Sequence, residues 1–142
     1  RSRVNHGLVY RHFGTKERLV GAVLDHLGDS LAALLAGGAP AEAIERATDR
    51  HMRVMARALL DGYPVGQLQS HFPNVALLVD QVVPRFGDEQ EGRLAAANAV
   101  ALQLGWRLFE PFLRSATGLD DVSEDVVRDA VAGQIGRMLR PE

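Results

Sequence analysis

His6, Tyr10, Arg11, His12 and Lys16 crowd two imidazoles, a phenol, a guanidinium and an ammonium into eleven residues. Such groups donate hydrogen bonds and pair with anions, so their natural target is a polyanion. Bond-making chemistry finds no comparable support. The five histidines at positions 6, 12, 26, 51 and 71 form no HExxH pair, and neither a Gly-rich phosphate loop nor a nucleophile elbow occurs, so no enzyme is expected. No cofactor or metal is expected either.

The elements that must position these groups are legible around them. Asn5 is suited to cap a short helix, Gly14 to make the turn after it, and Thr15 to cap a longer helix. Val9 and Phe13 lie four apart, with Val4 just before the helix, and form its buried side. The polar groups are left on the open side, close to Lys16. Residues 1–16 carry Arg1, Arg3, Arg11 and Lys16 with no acid, a charge of +4, so the remaining 126 residues of this chain of net charge −2 carry −6. A basic patch on an acidic body suits a nucleic-acid reader, since phosphates attract the patch and the body resists unspecific wrapping. The plainer alternative is a solvated basic terminus.

The run from Val4 to Val20 resembles the recognition helix and following helix start of the tetracycline-repressor-like (TetR) family of bacterial transcription regulators. The resemblance covers about 20 residues directly and the rest in general layout. It implies an all-α fold in which a partial helix-turn-helix at residues 1–26 precedes a ligand-binding and dimerisation body at 27–142. It implies a cytoplasmic regulator, a repressor by family habit, released from a pseudo-palindromic operator by a small-molecule effector. His6 would face base edges, Gly7 would allow close backbone approach, and Leu8 would offer apolar contact to a thymine methyl. Tyr10 and Lys16 match positions that hold phosphates, and Arg11 and His12 match positions touching backbone or bases. Two departures stand out. Arg3 occupies a turn position where the family often has Gly, and the two helices that precede the recognition helix in the family are absent, so a chain opening at Arg1 reads as a fragment or a trimmed record.

A chain of 142 residues buries a real core, and the absence of cysteine excludes disulfides, thiolate metal sites and cysteine catalysis. No uninterrupted apolar run approaches the roughly 18 residues of a membrane span, and no membrane partner is expected. Helical periodicity dominates. Helices are expected from Thr15 to about Leu35, ended by Gly37-Gly38-Ala39-Pro40, and from Ala41 to about Leu60. A short helix is expected over Val65–His71, then one capped by Asn74 and running to about Val83. A long helix follows from about Asp88 to Ala116, broken by Gly118, and a last one begins at Ser123 and runs to about Leu139.

The last two helices are apolar on more than one side and must bury more than one side. With the family's habit, that implies a homodimer through Leu104, Leu108, Phe112, Val127, Val131, Ile135 and Met138. Pro111 removes a helical hydrogen bond and should kink its helix near Arg107. An effector pocket is expected beside that kink, with Met55, Leu59, Phe72 and Trp106 as apolar lining and His51, Gln103 and Arg107 as polar anchors. The competing reading from a different class is a helical ligand-binding or dimerisation module that does not bind DNA.

Overall fold

Some helix boundaries fall where a side chain or a glycine turn satisfies the end. The computed structural model describes residues 11–141, and among these the chain is all-α, with no strand. Residues 11–13 are helical and lead through Gly14 into α1, Lys16–Ala36. Next come α2, Ala41–Leu60, the single turn α3, Val65–Leu68, and α4, Pro73–Val82. A 3-10 turn at Val83–Arg85 precedes the long α5, Glu89–Thr117, and α6, Glu124–Met138. The chain forms two compact units, one ending at Asn74 and the other beginning at Val75.

The first unit is built on α1. Its buried face is Gly21, Leu24, Gly28 and Leu31, a spacing of three, four and three that lines one side of a helix. Leu24 is fully buried in a cluster with Ala58 of α2 and Val65 of α3, flanked by Val20, Val54, Met55 and Tyr63. Gly21 lets the backbones meet: a Cβ there would lie 2.3 Å from the Leu68 carbonyl oxygen. By length and composition α1 could also cross a membrane, with an 18-residue window of mean hydropathy 1.5. Its buried face, however, is taken up by packing on its own chain, and its Asp25 and Asp29 bind the segment before α4.

The second unit pairs α5 with α6. Asp88 caps α5, its Oδ1 accepting from the Glu91 N–H at 2.9 Å, and Glu89 and Glu91 sit where the helix dipole favours acids. Gly118, at φ 71°, closes the helix in the left-handed conformation that favours glycine. Arg114, its side chain only 14% exposed, pins the turn to α6 by donating to the Asp120 and Val122 carbonyls and pairing with Glu110. Gly92 lets α5 cross close to Val83, whose Cα would lie 2.9 Å from an added Cβ. Helix α5 continues through Pro111.

Two local expectations are corrected. The helix at Val65 ends at Leu68 rather than His71, so Ser70 and His71 lie in a connecting segment. Asn74 is not a cap: α4 starts one residue earlier, at Pro73, and the Asn74 amide instead donates to the Gly28 carbonyl of α1 at 3.4 Å. Proline is at home in a first helical turn because the N–H it lacks would have no partner there.

Candidate nucleic-acid interface and polar sites

The junction before α1 is assembled from short-range chemistry. Gly14 adopts φ 75°, the Thr15 N–H donates to the Phe13 carbonyl at 2.9 Å, and Thr15 turns extended so that its hydroxyl accepts from the Arg18 N–H at 3.2 Å. This satisfies one of the four donors a helix start leaves without a helical partner. Lys16 therefore opens α1 at the positive end of the helix dipole, a place suited to anions. Its ammonium stands 5.5 Å from the centre of the Tyr63 ring, a cation–π contact that restrains the side chain. Arg11 and His12 are exposed on the preceding helical turn, and the His12 ring meets Phe13 edge-on at 4.9 Å. The structure thus brings exposed Arg11, His12 and Lys16 to one short segment. His6, Gly7, Leu8 and Tyr10 lie outside the described residues.

The expected effector residues are divided between the units. In the first, Met55 packs on the core cluster, while Leu59 and Phe72 are exposed. His51 is half-buried, and its burial lowers the ring's pKa, favouring the neutral form. Its Nε2 and the Oδ1 of Asn74 are buried polar atoms without a hydrogen-bond partner. Both side chains adjoin Gly28 of α1: the His51 Cε1 lies 3.6 Å from where a Gly28 Cβ would stand, and Asn74 bonds the Gly28 carbonyl. Buried polar atoms usually find a partner, so both side chains keep unused hydrogen-bonding capacity beside the same glycine.

Nearby along α1 lies a polar cluster that sequence reasoning missed. Asp25 accepts from the Ser70 backbone N–H at 3.0 Å and from its hydroxyl at 2.7 Å. His71 bridges the Ser70 hydroxyl, 2.7 Å from its Nδ1, and the Asp29 carboxylate, 2.6 Å from its Nε2. The partners are more than forty residues apart in sequence, and the available signal is the carboxylate pair four apart on one helix face.

In the second unit, Trp106 and Leu102 of α5 line an apolar groove of about 260 Å³ with Val122, Val127, Val131 and Gln134. Val127 is buried, whereas Leu104, Leu108, Val131, Ile135 and Met138 are half-buried. Phe112 is 68% exposed and Phe109 58%, so α5 retains a large apolar surface outside this unit's own packing. Gln103 is exposed and Arg107 half-buried on the same helix.

No family model matches the sequence, and no solved structure matches it. Among curated proteins the chain is 64% identical over 141 residues to the HTH-type transcriptional regulator Mb3439c of Mycobacterium bovis and, equally, to the HTH-type transcriptional repressor Rv3405c of Mycobacterium tuberculosis. The alignment takes in 99% of this chain and 75% of each relative. With the alignment spanning both units, the chain belongs to the HTH-type transcriptional regulators.

Proposed function

We propose that this protein is a TetR-type, DNA-binding repressor that works in the cytoplasm as a homodimer and is released from a pseudo-palindromic operator by a small-molecule effector. The observation that carries the reading is 64% identity over nearly the whole chain to a protein named an HTH-type transcriptional repressor. The junction before α1 supports it: a glycine turn and a threonine cap leave Arg11, His12 and Lys16 exposed around a helix start, where phosphate oxygens are favoured. In this reading residues 1–26 belong to the DNA-reading part and 27–142 to the body. His6, Gly7 and Leu8 meet bases, and Tyr10, Arg11, His12 and Lys16 hold the backbone around them. The exposed Phe112, together with Leu104, Leu108, Val127, Val131, Ile135 and Met138, supplies the pairing surface.

For the effector, the uncommitted polar atoms beside Gly28 set the chemistry. A ligand group that donates to the Asn74 Oδ1 and exchanges a hydrogen bond with a neutral His51 ring would satisfy both. Both groups touch α1, the helix that begins at Lys16, so a ligand preferring one placement of α1 would bias the reading segment. Phe72, Leu59, Met55 and Trp106 with Gln103 and Arg107 remain the other candidates for ligand contact.

Selection of bound fragments from genomic DNA with the intact protein, followed by a salt titration on the enriched duplex, tests the DNA reading. Lys16→Ala and Tyr10→Phe should each weaken binding across all sequences, and Lys16→Ala should also flatten the salt slope by about one, the effect of releasing a single phosphate. Unchanged affinity and slope in both variants would refute the assigned roles.

A further inference from the structure

The segment joining α3 to α4 is fastened to α1 by hydrogen bonds whose donors can be counted. Ser70 has one hydroxyl proton, and its Oγ stands 2.7 Å from both the Asp25 carboxylate and the His71 Nδ1. A carboxylate can only accept, so the hydroxyl proton goes to Asp25 and Nδ1 must carry a proton of its own to donate to Oγ. At the opposite edge of the ring, Nε2 faces the Asp29 Oδ1 at 2.6 Å, the short separation of a charge-assisted bond, and must donate as well. A ring that donates from both nitrogens is an imidazolium.

We propose that Ser70 and His71 form a proton-dependent clasp on helix α1, closed while the imidazolium bridges the Ser70 hydroxyl and the Asp29 carboxylate and open once that ring loses a proton. The neutral ring has one N–H and must give up either the Ser70 bond or the Asp29 bond. Among the described residues, the charged groups that face the ring are the two carboxylates of α1: Asp29 in contact and Asp25 at 4.0 Å from Nδ1. Helix α2 brings His51 near α1 at Gly28, and burial there disfavours its charged form. The Asp29 hydrogen bond raises the His71 pKa above its ordinary value, aided by the charges of Asp29 and Asp25 and opposed by partial desolvation.

The sign follows from the direction of that shift. The clasp contributes to stability fully below the ordinary histidine pKa of about 6.5, and the contribution is lost as pH rises through the raised pKa of the folded protein. Because the clasp grips the helix that opens at Lys16, it also makes the hold on that helix responsive to pH. This link to DNA rests on the reading proposed above, whereas the clasp itself does not.

Nitrogen-resolved NMR of the histidine side chains in the intact protein, recorded between about pH 5 and pH 8, tests it without DNA. The expected result is a His71 ring protonated at both nitrogens at the acid end of that range, with a titration midpoint above about 6.5 that falls in Asp29→Asn. A His71 midpoint at or below about 6.5, or one that Asp29→Asn leaves in place, overturns the clasp. Thermal unfolding of His71→Asn provides the second readout. Its deficit against the wild type should be largest in acid and shrink as pH rises, and a deficit independent of pH overturns the proposal equally.

Discussion

Replacing Gly21 with alanine should destabilise the first unit even though alanine is the better helix former. The added Cβ would lie 2.3 Å from the Leu68 carbonyl oxygen and 3.1 Å from its carbon, atoms of the α3 backbone that no rotamer change can move aside. Carbon and oxygen tolerate each other from about 3.3 Å, so α1 and α3 must separate by about 1 Å. Leu24 and Val65, exposed by only 0% and 4%, sit in the cluster this would open. A gap of about 0.5–1 Å forfeits roughly a quarter to a half of a contact's dispersion energy. Overpacking against backbone belongs at the upper end of its range, about 3 kcal/mol, and the alanine helix preference offsets about 1 kcal/mol, leaving a net loss of about 2 kcal/mol. Gly28→Ala is the internal control. Its Cβ would meet the His51 Cε1 at 3.6 Å and the Pro73 Cδ at 3.7 Å, ordinary contact distances, so the preference for alanine survives as a gain of up to about 1 kcal/mol. In urea, with a slope of about 2 kcal/mol per molar, the midpoint should drop by about 1 M in the first variant and rise by up to about 0.5 M in the second. A Gly21→Ala midpoint at or above wild type, or an equal fall in both variants, would refute the close-contact reasoning.

Asp88→Ala should cost about 1 kcal/mol by removing the bond to the Glu91 N–H, while Ser123→Ala should cost much less, because the Ser123 side chain makes no capping bond; chemical denaturation of the two variants compares them directly. Arg114→Lys keeps the charge but loses the planar fork that reaches two carbonyls, so amide exchange over residues 119–122 should accelerate, with a stability loss of about 1–2 kcal/mol. Burial lowers the His51 pKa, so the unfolded chain takes up a proton first and stability falls as pH drops through about 6.5 toward the lowered folded value. His51→Leu should remove that acid-side loss, and stability curves that stay parallel across the range would contradict it.

What is legible in the sequence is local. Thr15, Asp88 and Gly118 declare their helix ends because each acts through atoms within a few residues, and α2 is readable to its limits, Ala41 and Leu60. Asn74 misleads because its helix starts one residue earlier, at Pro73, which leaves Asn74 inside the first turn, where its side-chain NH2 donates to the Gly28 carbonyl forty-six residues away. The helix expected to reach His71 stops at Leu68 for a related reason, since Ser70 and His71 find stronger partners in Asp25 and Asp29 than another helical turn would give them. His51 stands out by its position on α2, but its lack of a partner emerges only when Gly28 and Asn74 come in from other elements. At the junction before α1, the capped turn and the exposure of Arg11, His12 and Lys16 are readable because they depend on residues close in sequence.

The close approach at Gly21 also restricts how α1 can move. Advancing the helix by one residue shifts it about 1.5 Å and turns it about 100°, which would bring Val20 or Ala22 toward the Leu68 carbonyl, each with a Cβ that the site cannot admit. Screw-like sliding is therefore barred at that crossing. Any displacement relayed along this helix has to be a rocking of the whole rod about Gly21, so a push of given size near Gly28 would reappear near Lys16 as a swing in the opposite sense.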